Sequence, residues 1–351
     1  MSVFNSSHYD DHELVSFCQD ARSGLRAIVA VHNSNLGPAL GGCRMFPYAN
    51  DDHALDDVLR LSKGMTYKSA LAGLPLGGGK AVIIGDPASL KSRDLLLAMG
   101  QFVNDLGGRY ITAEDSGTTV TDLKIIAERT SYVSGVVEGG RFGGDPSPYT
   151  AQGVFLGIKA ALAFKHGSDD LSGVRVAVQG AGAVGRHLIE LLIAEGAIVF
   201  AADVNVKHCQ LAQQSGAVVI PCDHIMGFDT DVLAPCAMGA SLNADSVEII
   251  RAGIVAGAAN NQLASNAQGE RLLRRGILYA PDFVINAGGI IDVYYQRAEG
   301  GSTKTAAHLS NISSSLLEIF TQSAASGLST VAIAEQLAED IFLNGLRVKA
   351  A

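Results

Sequence analysis

The stretch Val174–Gly185, VRVAVQGAGAVG, joins a short apolar run to a glycine-rich turn. The apolar run Val174–Gln179 is typical of a β-strand, and Ala183–Glu195 carries apolar side chains at helical spacing. The turn Gly180–Gly185 therefore fits the pattern GxGxxG between a strand and a helix, which is the context that pyrophosphate binding requires. The first glycine permits the tight turn, the second lets the backbone approach a pyrophosphate, and the third lets helix and strand pack closely.

A carboxylate follows the next predicted strand, Ala197–Ala202, at Asp203, which is 23 residues after Gly180. At this position a carboxylate accepts hydrogen bonds from the adenine-ribose hydroxyls and repels a 2′-phosphate, which favours NAD over NADP. Lys207 is a nearby cation that works against this preference. The motif predicts an NAD site that contains Gly180, Gly182, Ala183, Val184, Gly185 and Asp203.

Strand-like and helical segments alternate through the second half of the chain, which predicts a parallel, doubly wound sheet in an α/β fold. A length of 351 residues is typical of two domains. The stretch GGRFGGDPSP at residues 139–148 is the candidate hinge, with an ordinary surface loop as the alternative. We expect a mixed α/β domain at 1–138 and a Rossmann domain at 139–329, with the active site in the cleft between them. The C-terminal helix, about 330–351, is expected to return to the first domain.

The first half places two lysines in glycine-rich, apolar surroundings, at Lys68 and Lys80. The pattern predicts a helix at Ala54–Lys68 and two strand-like runs at Ser69–Leu76 and Ala81–Ile84. A partly desolvated lysine beside another cation has a lowered pKa and suits a general base. The alternative is a pair of surface lysines that flank a hairpin.

A phosphate-binding P-loop is excluded at Lys80, because Leu74 stands where GxxxxGK requires glycine and Ala81 stands where serine or threonine is required.

Composition and charge limit the partners and the compartment. The net charge is −9 and there is no basic run, so we expect no nucleic-acid partner. The cysteines are odd in number and form no CxxC pair, which favours reduced thiols in the cytoplasm. The N-terminus does not have the pattern of a signal peptide, and no apolar run reaches membrane-spanning length, so no membrane partner is expected. His8 and His12 would share a helix face, but among nearby carboxylates we interpret them as surface residues and expect no metal.

Long motifs make the chain resemble the glutamate/leucine/phenylalanine/valine dehydrogenase superfamily, and within it most closely the leucine dehydrogenases. They are GPALGGCRMFPY (Gly37–Tyr48), RLSKGMTYKSALAGLPLGGGKAVIIGDP (Arg60–Pro87), RYITAEDSGTTVTD (Arg109–Asp122), APCAMGA (Ala234–Ala240), GAANNQL (Gly257–Leu263) and APDFVINAGGIIDV (Ala280–Val293). The resemblance covers nearly the whole chain. It implies a first domain for substrate binding and oligomerisation, and a homo-oligomer.

The resemblance also implies roles for matching positions. Lys68 would bind the substrate α-carboxylate, Lys80 would activate the water that hydrolyses the imine, and Asp115 would shuttle protons to and from the amino group. The implied reaction is a reversible oxidative deamination of an amino acid to a 2-oxo acid and ammonium. The other implied contacts are Gly41, Gly42, Met65 and Asn261 for the substrate, and Thr150, Asp203, Ala237 and Asn260 for NAD.

Leu40 indicates which kind of substrate side chain the enzyme accepts. The glutamate enzymes of the superfamily carry a lysine where Leu40 stands, and without that cation a second carboxylate would be buried unpaired. We therefore expect an apolar side-chain pocket and a leucine, valine or isoleucine substrate. The pocket residues would be Leu40, Ala113, Ile290 and Val293, for which plain core packing is the alternative.

Residues 292–296, DVYYQ, depart from the usual leucine-enzyme continuation and leave phenylalanine or another aromatic amino acid as an alternative substrate. A non-catalytic NAD-binding sensor is a further alternative, but it would not need Lys68, Lys80 and Asp115.

Overall fold

The computed structural model describes residues 3–136, 145–237, 239–298 and 301–349, without the side chains of residues 302 and 345–349. The chain divides into two compact units. The first comprises Met1–Gly144, Val293–Ser302 and Ala338–Ala351, and the second comprises Asp145–Asp292 and Thr303–Leu337. Residues 139–144 of the predicted hinge lie outside the described residues, and a helix begins at Ser147.

The first unit is built on a five-stranded mixed sheet. Its elements in chain order are β1 (Leu14–Asp20), β2 (Leu25–Asn33), β3 (Ala39–Phe46), α1 (Asp51–Leu71), β4 (Gly77–Ile84), α2 (Arg93–Asp105), β5 (Tyr110–Ala113) and α3 (Val120–Ala127). The strand order is β1-β2-β4-β3-β5. Strand β3 runs parallel to both β4 and β5, whereas β2 is antiparallel to β1 and β4.

Successive side chains of a strand point to opposite faces of the sheet, and each face of this sheet has its own core. Cys43, Met45 and Ala81 belong to the larger core, which includes buried residues of α2 and α3. Val82 belongs to a second core with Val58 and Leu59 of α1. The alternate positions of β3 and β4 therefore face α1.

The predicted strand at Ser69–Leu76 is wrong. Helix α1 continues through Leu71 and is capped at Ala72, and the next strand begins at Gly77. Ser69, Ala70 and Leu71 are buried, so tertiary packing of the last helical turn outweighs the strand-like apolar pattern.

The second unit contains a six-stranded, fully parallel sheet. Its elements are α4 (Ser147–His166), β6 (Arg175–Gln179), α5 (Ala183–Ala194), β7 (Ile198–Ala202), α6 (Val206–Gln214), β8 (Val218–Val219), β9 (Val232–Pro235), α7 (Ala244–Ile249), β10 (Ile254–Val255), α8 (Asn266–Arg274), β11 (Leu278–Tyr279), α9 (Asp282–Ile285), α10 (Gly288–Arg297), α11 (Gly301–Ser326) and α12 (Thr330–Lys349). Helices α10 and α12 extend into ranges that group with the first unit.

The strand order of this sheet, β8-β7-β6-β9-β10-β11, is the order 3-2-1-4-5-6 of a doubly wound dinucleotide-binding fold, which confirms the predicted α/β class. The order reverses between β6 and β9. In such sheets ligands bind outside the carboxyl ends of the strands at this switch point. Gly180 directly follows β6 and lies there.

The C-terminal part of α12 contacts the first unit. Tyr67 Oη donates to Glu339 Oε1 at 2.7 Å, and Asn35 Nδ2 donates to the Phe342 carbonyl at 3.0 Å.

Among the described residues, no single helix is both long and apolar enough for a membrane span, although α11 and α12, bent by 116°, pass that test as a pair.

His12 is not the surface residue that the sequence suggested, because only 7% of it is exposed. Its Nε2 lies 3.1 Å from both the Leu59 carbonyl and Ser62 Oγ of α1. These bonds satisfy a buried imidazole, so His12 is a structural residue of the first unit.

Candidate active site

Three parallel strands of the first unit present the candidate site residues on the face towards α1. Gly42 of β3 pairs with Ala113 of β5, and Leu40 pairs with both Gly78 of β4 and Ile111 of β5. Lys80 and Val82 share one face of β4 because they are two residues apart. The register thus brings together positions that are up to 73 residues apart in sequence.

Two neighbouring glycines of β3, Gly41 and Gly42, allow the backbone to approach closely. A Cβ atom at Gly41 would overlap the carbonyl oxygen of Gly79 on the neighbouring strand. A Cβ atom at Gly42 would lie 2.6 Å from Asp115 Oδ2. The absence of side chains at Gly41 and Gly42 is therefore a geometric requirement of the site.

Lys80 and Asp115 form the centre of the candidate site. Lys80 is 5% exposed, and its Nζ donates to Asp115 Oδ2. The other oxygen, Asp115 Oδ1, accepts from the Ser116 amide at 2.6 Å. Thr118 Oγ1 accepts from the Asp115 amide and donates to the Cys43 carbonyl at 2.8 Å, which ties the loop after β5 to strand β3.

Burial lowers the pKa of Lys80 to about 7, and the positive charges of Arg44 and Lys68 act in the same direction. Asp57 and Cys43 act in the opposite direction. An ionised Asp115 in contact with Nζ also favours the ammonium. A lysine held between these influences can gain and lose a proton near neutral pH, as a general base requires. The alternative of two surface lysines flanking a hairpin is wrong, because Lys80 is buried on β4.

The remaining substrate-side predictions lie on elements of both units. Met65 and Lys68 are half-buried on α1, one turn apart. Leu40, Ala113 and Ile290 are 2%, 8% and 7% exposed. Val293 is half-buried on α10, and its carbonyl accepts from Ser134 Oγ at 3.2 Å.

The glycine turn of the second unit has the geometry that the motif predicts. Gly180 has φ +95°, and a Cβ atom there would lie 2.8 Å from the Ala237 amide nitrogen. A Cβ atom at Gly185 would overlap the Gly180 carbonyl oxygen. A Cβ atom at Gly182 would meet no heavy atom within 4 Å, so the space beside the first turn of α5 is open. Gly182 caps α5 without a side-chain hydrogen bond, which leaves amides of the first helical turn, including those of Ala183 and Val184, available to an anion.

Asp203 follows β7 and is held beside the turn. Its Oδ2 accepts from the Ala181 amide at 2.8 Å and lies 3.2 Å from His208 Nδ1, and its Oδ1 accepts from the Asn205 amide at 2.7 Å. Burial raises the pKa of Asp203, but these hydrogen bonds outweigh burial and the net shift is downward. The carboxylate is therefore ionised at neutral pH.

The other dinucleotide-side residues lie in the same unit. Thr150 Oγ1 donates to the Pro146 carbonyl at 3.1 Å, and Asn260 Oδ1 accepts from the buried Asn286 at 2.8 Å. Asn261 adopts φ +50°, and its carbonyl accepts from the Ala240 amide. Asn286 thus orients Asn260.

Arg44, Asp57 and Asn286 were not among the residues predicted from sequence. Arg44 lies within the motif GPALGGCRMFPY, but only the strand register shows that its side chain shares a face with Lys80.

Comparisons with known proteins agree with this fold. The family model described as "Glu/Leu/Phe/Val dehydrogenase, dimerisation domain" matches residues 12–132, and the one described as "Glutamate/Leucine/Phenylalanine/Valine dehydrogenase" matches residues 202–335. The chain therefore belongs to the Glu/Leu/Phe/Val dehydrogenase family, and the protein is an amino-acid dehydrogenase, which confirms the predicted family.

Relatives with different substrates are similarly close. Leucine dehydrogenase of Bacillus subtilis is 46% identical, covering 97% of this chain and 94% of its own length. Phenylalanine dehydrogenase of Bacillus thermotolerans is 44% identical over 94% of this chain and 88% of its own length. The crystal structure of L-tryptophan dehydrogenase from Nostoc punctiforme has a TM-score of 0.82 and 42% identity, covering 95% of this chain and 96% of that one.

Proposed function

We propose that the protein catalyses the reversible, NAD-dependent oxidative deamination of an apolar L-amino acid to its 2-oxo acid and ammonium. The observation that carries the proposal is the contact between the buried Lys80 and the half-buried Asp115 beside the glycines of β3. An amino-acid oxidation followed by imine hydrolysis needs proton transfer in each stage, and this pair supplies two titratable groups within contact.

The second unit fits a dinucleotide. Gly180 and Gly185 cannot carry side chains, whereas the space at Gly182 is open towards the N-terminus of α5. We propose that the amides of this turn hold the pyrophosphate and that Asp203 accepts hydrogen bonds from the adenine-ribose hydroxyls. Thr150, Ala237 and Asn260 complete the proposed dinucleotide contacts.

The residues of the first unit divide the chemistry among them. Lys68 binds the α-carboxylate as a point charge, and Asp115 takes a proton from the substrate ammonium. Bound NAD supplies the acceptor for the hydride that leaves Cα. Neutral Lys80 then takes a proton from the water that attacks the iminium carbon, which gives a carbinolamine. Asp115 returns a proton to the nitrogen, the C–N bond breaks, and the departing ammonia takes the hydroxyl proton, which leaves the 2-oxo acid and ammonium. Gly41, Gly42, Met65 and Asn261 are the proposed substrate contacts.

A branched-chain substrate is the first candidate, since Leu40, Ala113 and Ile290 are apolar and buried. Leucine dehydrogenases match nearly the whole chain at 43–46% identity. An aromatic substrate is the second candidate, because the named phenylalanine and tryptophan dehydrogenases are as similar within a few per cent. Initial rates with leucine, valine, isoleucine, phenylalanine, tryptophan and glutamate, followed by absorbance at 340 nm, distinguish the two.

We also propose a homo-oligomer, which the match of residues 12–132 to a dimerisation domain supports. A cytoplasmic location is proposed from five cysteines that form no disulfide.

The test of the catalytic assignment is Lys80→Ala. Turnover should fall by about 10³-fold or more, because the general base is lost, whereas NAD binding should survive. The matched control is Lys91→Ala, which removes another Lys–Asp pair of the same unit, 2.8 Å from Asp122. Near-normal rates in Lys80→Ala would exclude the assigned role.

A further inference from the structure

Arg44 lies on the same face of the sheet as Lys80, and its guanidinium is held by a carboxylate of helix α1. Its Nη1 donates to Asp57 Oδ2 of α1 at 2.9 Å. The same carboxylate accepts from Tyr48 Oη at 2.7 Å and from Arg60 Nη2 at 3.0 Å. These contacts fix the Asp57 carboxylate and, through it, one end of the Arg44 guanidinium.

The other end of the guanidinium points to the candidate catalytic acid. Arg44 Nε lies 3.5 Å from Asp115 Oδ1, an ion-pair distance. It is buried and, within the described part of the chain, makes no hydrogen bond. Because Asp115 Oδ2 contacts Lys80, the Asp115 carboxylate lies between two cations. A buried donor without a partner is costly, so a shift of Asp115 towards Nε would be favourable.

We propose that Arg44, anchored by Asp57, is a positioning residue that holds the Asp115 carboxylate beside Lys80. In this arrangement the negative charge of Asp115 is paired with both Arg44 and Lys80. The inference rests on the proposed function, in which Lys80 and Asp115 exchange protons with the substrate. Arg44 itself acts through Asp115 and does not touch the reacting atoms.

A second Arg–Asp pair in this unit also joins the sheet to α1, but it is much more exposed than the Arg44–Asp57 pair. Arg26 of β2 donates to Asp51 of α1 at 2.7 Å, also joining the sheet to that helix. The side chains of that pair are 50% and 66% exposed, whereas those of Arg44 and Asp57 are 20% and 14% exposed. An exposed pair contributes little because water screens it. The half-buried Arg44–Asp57 pair, in contrast, also contacts Asp115, which in turn pairs with Lys80.

Charge on Arg44 has a defined effect on Lys80. The titratable groups around Lys80 are Arg44 and Cys43 on β3, Lys68 and Asp57 on α1, Tyr110 on β5, and Asp115 in the loop that follows β5. Removal of the Arg44 cation leaves Asp115 to pair with Lys80 alone and takes away a like charge. Both changes favour the Lys80 ammonium and raise its pKa.

The experiment uses the full-length enzyme with Arg44→Gln, Arg44→Lys and the matched control Arg26→Gln. The acid limb of kcat/KM against pH is measured with the fastest substrate of the amino-acid panel. Independently of turnover, Lys80 is titrated by NMR of lysine labelled with ¹³C at Cε, its signal being assigned by its absence in Lys80→Arg. Thermal unfolding checks that each variant is folded.

We expect Arg44→Gln to move two midpoints upward by about one pH unit, that of the acid limb of kcat/KM and that of the Lys80 NMR titration. Arg26→Gln should leave both midpoints unchanged. Arg44→Lys keeps the positive charge, so its midpoints should stay within about 0.3 pH units of wild type. A lysine cannot contact Asp57 and Asp115 at the same time, as the guanidinium does, so kcat should fall about tenfold. A folded Arg44→Gln with unchanged midpoints overturns the proposal. If Arg44→Gln does not fold, an upward shift of about one unit in Arg44→Lys overturns it instead.

The two proposals fail in different ways. If Lys80→Ala keeps turnover while Arg44→Gln still shifts the Lys80 NMR titration, the catalytic assignment is wrong and the Arg44–Asp115–Lys80 coupling stands. If Lys80→Ala is inactive and neither midpoint moves in Arg44→Gln, the inference about Arg44 fails alone.

Discussion

Gly42 and Asp115 pack so closely that a single methyl group on Gly42 would lie 2.6 Å from Asp115 Oδ2. Gly42→Ala should therefore displace the carboxylate from Lys80 and lower kcat about 100-fold, because a shift of about 1 Å at a reacting group can cost that much. Steady-state kinetics measures the change. The control is Gly64→Ala on α1, where an added Cβ meets no atom within 4 Å and should leave kcat unchanged. Normal kcat in Gly42→Ala would show that the position of Asp115 does not limit turnover.

Asp203 should determine the choice of dinucleotide. In Asp203→Ser, the negative charge that repels a 2′-phosphate is lost, and the ratio of kcat/KM for NAD over NADP should fall about 100-fold, or roughly 3 kcal/mol. The activity with NAD should also fall, since Ala181 and Asn205 lose their shared acceptor. Asp223→Ser, at a side chain that is 80% exposed, is the control. Equal use of the two dinucleotides by the wild type would contradict the assignment.

His32 should make the first unit less stable in acid. Burial, followed by the nearby His12, lowers the pKa of His32 to about 4. Between about pH 6.5 and 4 the unfolded chain binds a proton that the folded chain does not, so the free energy of unfolding falls as pH falls. The loss attributable to His32 is on the order of 3 kcal/mol.

The free energy of unfolding of wild type and of His32→Gln is measured at pH 7.5 and at pH 4.5. From the higher to the lower pH, it should decrease less in the variant than in wild type. Other groups around the His32 ring, among them Asp10, Lys63, Thr66 and Tyr67, are unchanged in the variant. His8→Gln, at an exposed imidazole, should match wild type. Equal acid sensitivity of His32→Gln and wild type would exclude His32 as the cause.

Leu40 should exclude glutamate from the substrate site. A γ-carboxylate beside a buried leucine loses water and gains no partner, which costs more than the roughly 1–3 kcal/mol that separates substrates by one methylene. Leu40→Lys should raise the ratio of glutamate to leucine oxidation and lower the leucine rate. Leu40→Met, which conserves volume, is the control and should leave the ratio unchanged. A wild type that oxidises glutamate as fast as leucine would refute the pocket assignment.

The sequence predicted the second unit well because its signals are local. The strand, the turn Gly180–Gly185 and the helix after it are contiguous, and Asp203 follows the next strand directly. The strand, turn, helix and carboxylate that form this motif all lie within about thirty residues of one another, so the pattern can be recognised locally. Strand ends differ by a residue, as at β6, where the predicted run from Val174 begins at Arg175.

The first unit was harder to predict because its site depends on pairing between distant segments. The motif around Gly41 and Gly42 was recognised by resemblance, but its path as strand β3, between β4 and β5, is set by contacts over dozens of residues. Arg44 has no local pattern that distinguishes it from a surface arginine. Its contacts with Asp57 and Asp115 follow from strand register and from the packing of α1 against this face of the sheet.

The close approach of Gly41 to Gly79 bears on how this enzyme can be re-engineered. Any mutation at Gly41 introduces a side chain that overlaps the neighbouring strand, so a saturation library at that codon should return almost only the parent residue. Leu40 of β3 and Ala113 of β5, in contrast, carry their own side chains on the opposite face of the sheet. Under the proposed pocket assignment, directed evolution of substrate range has its usable diversity in the apolar positions, while the glycine positions set a fixed boundary for every library.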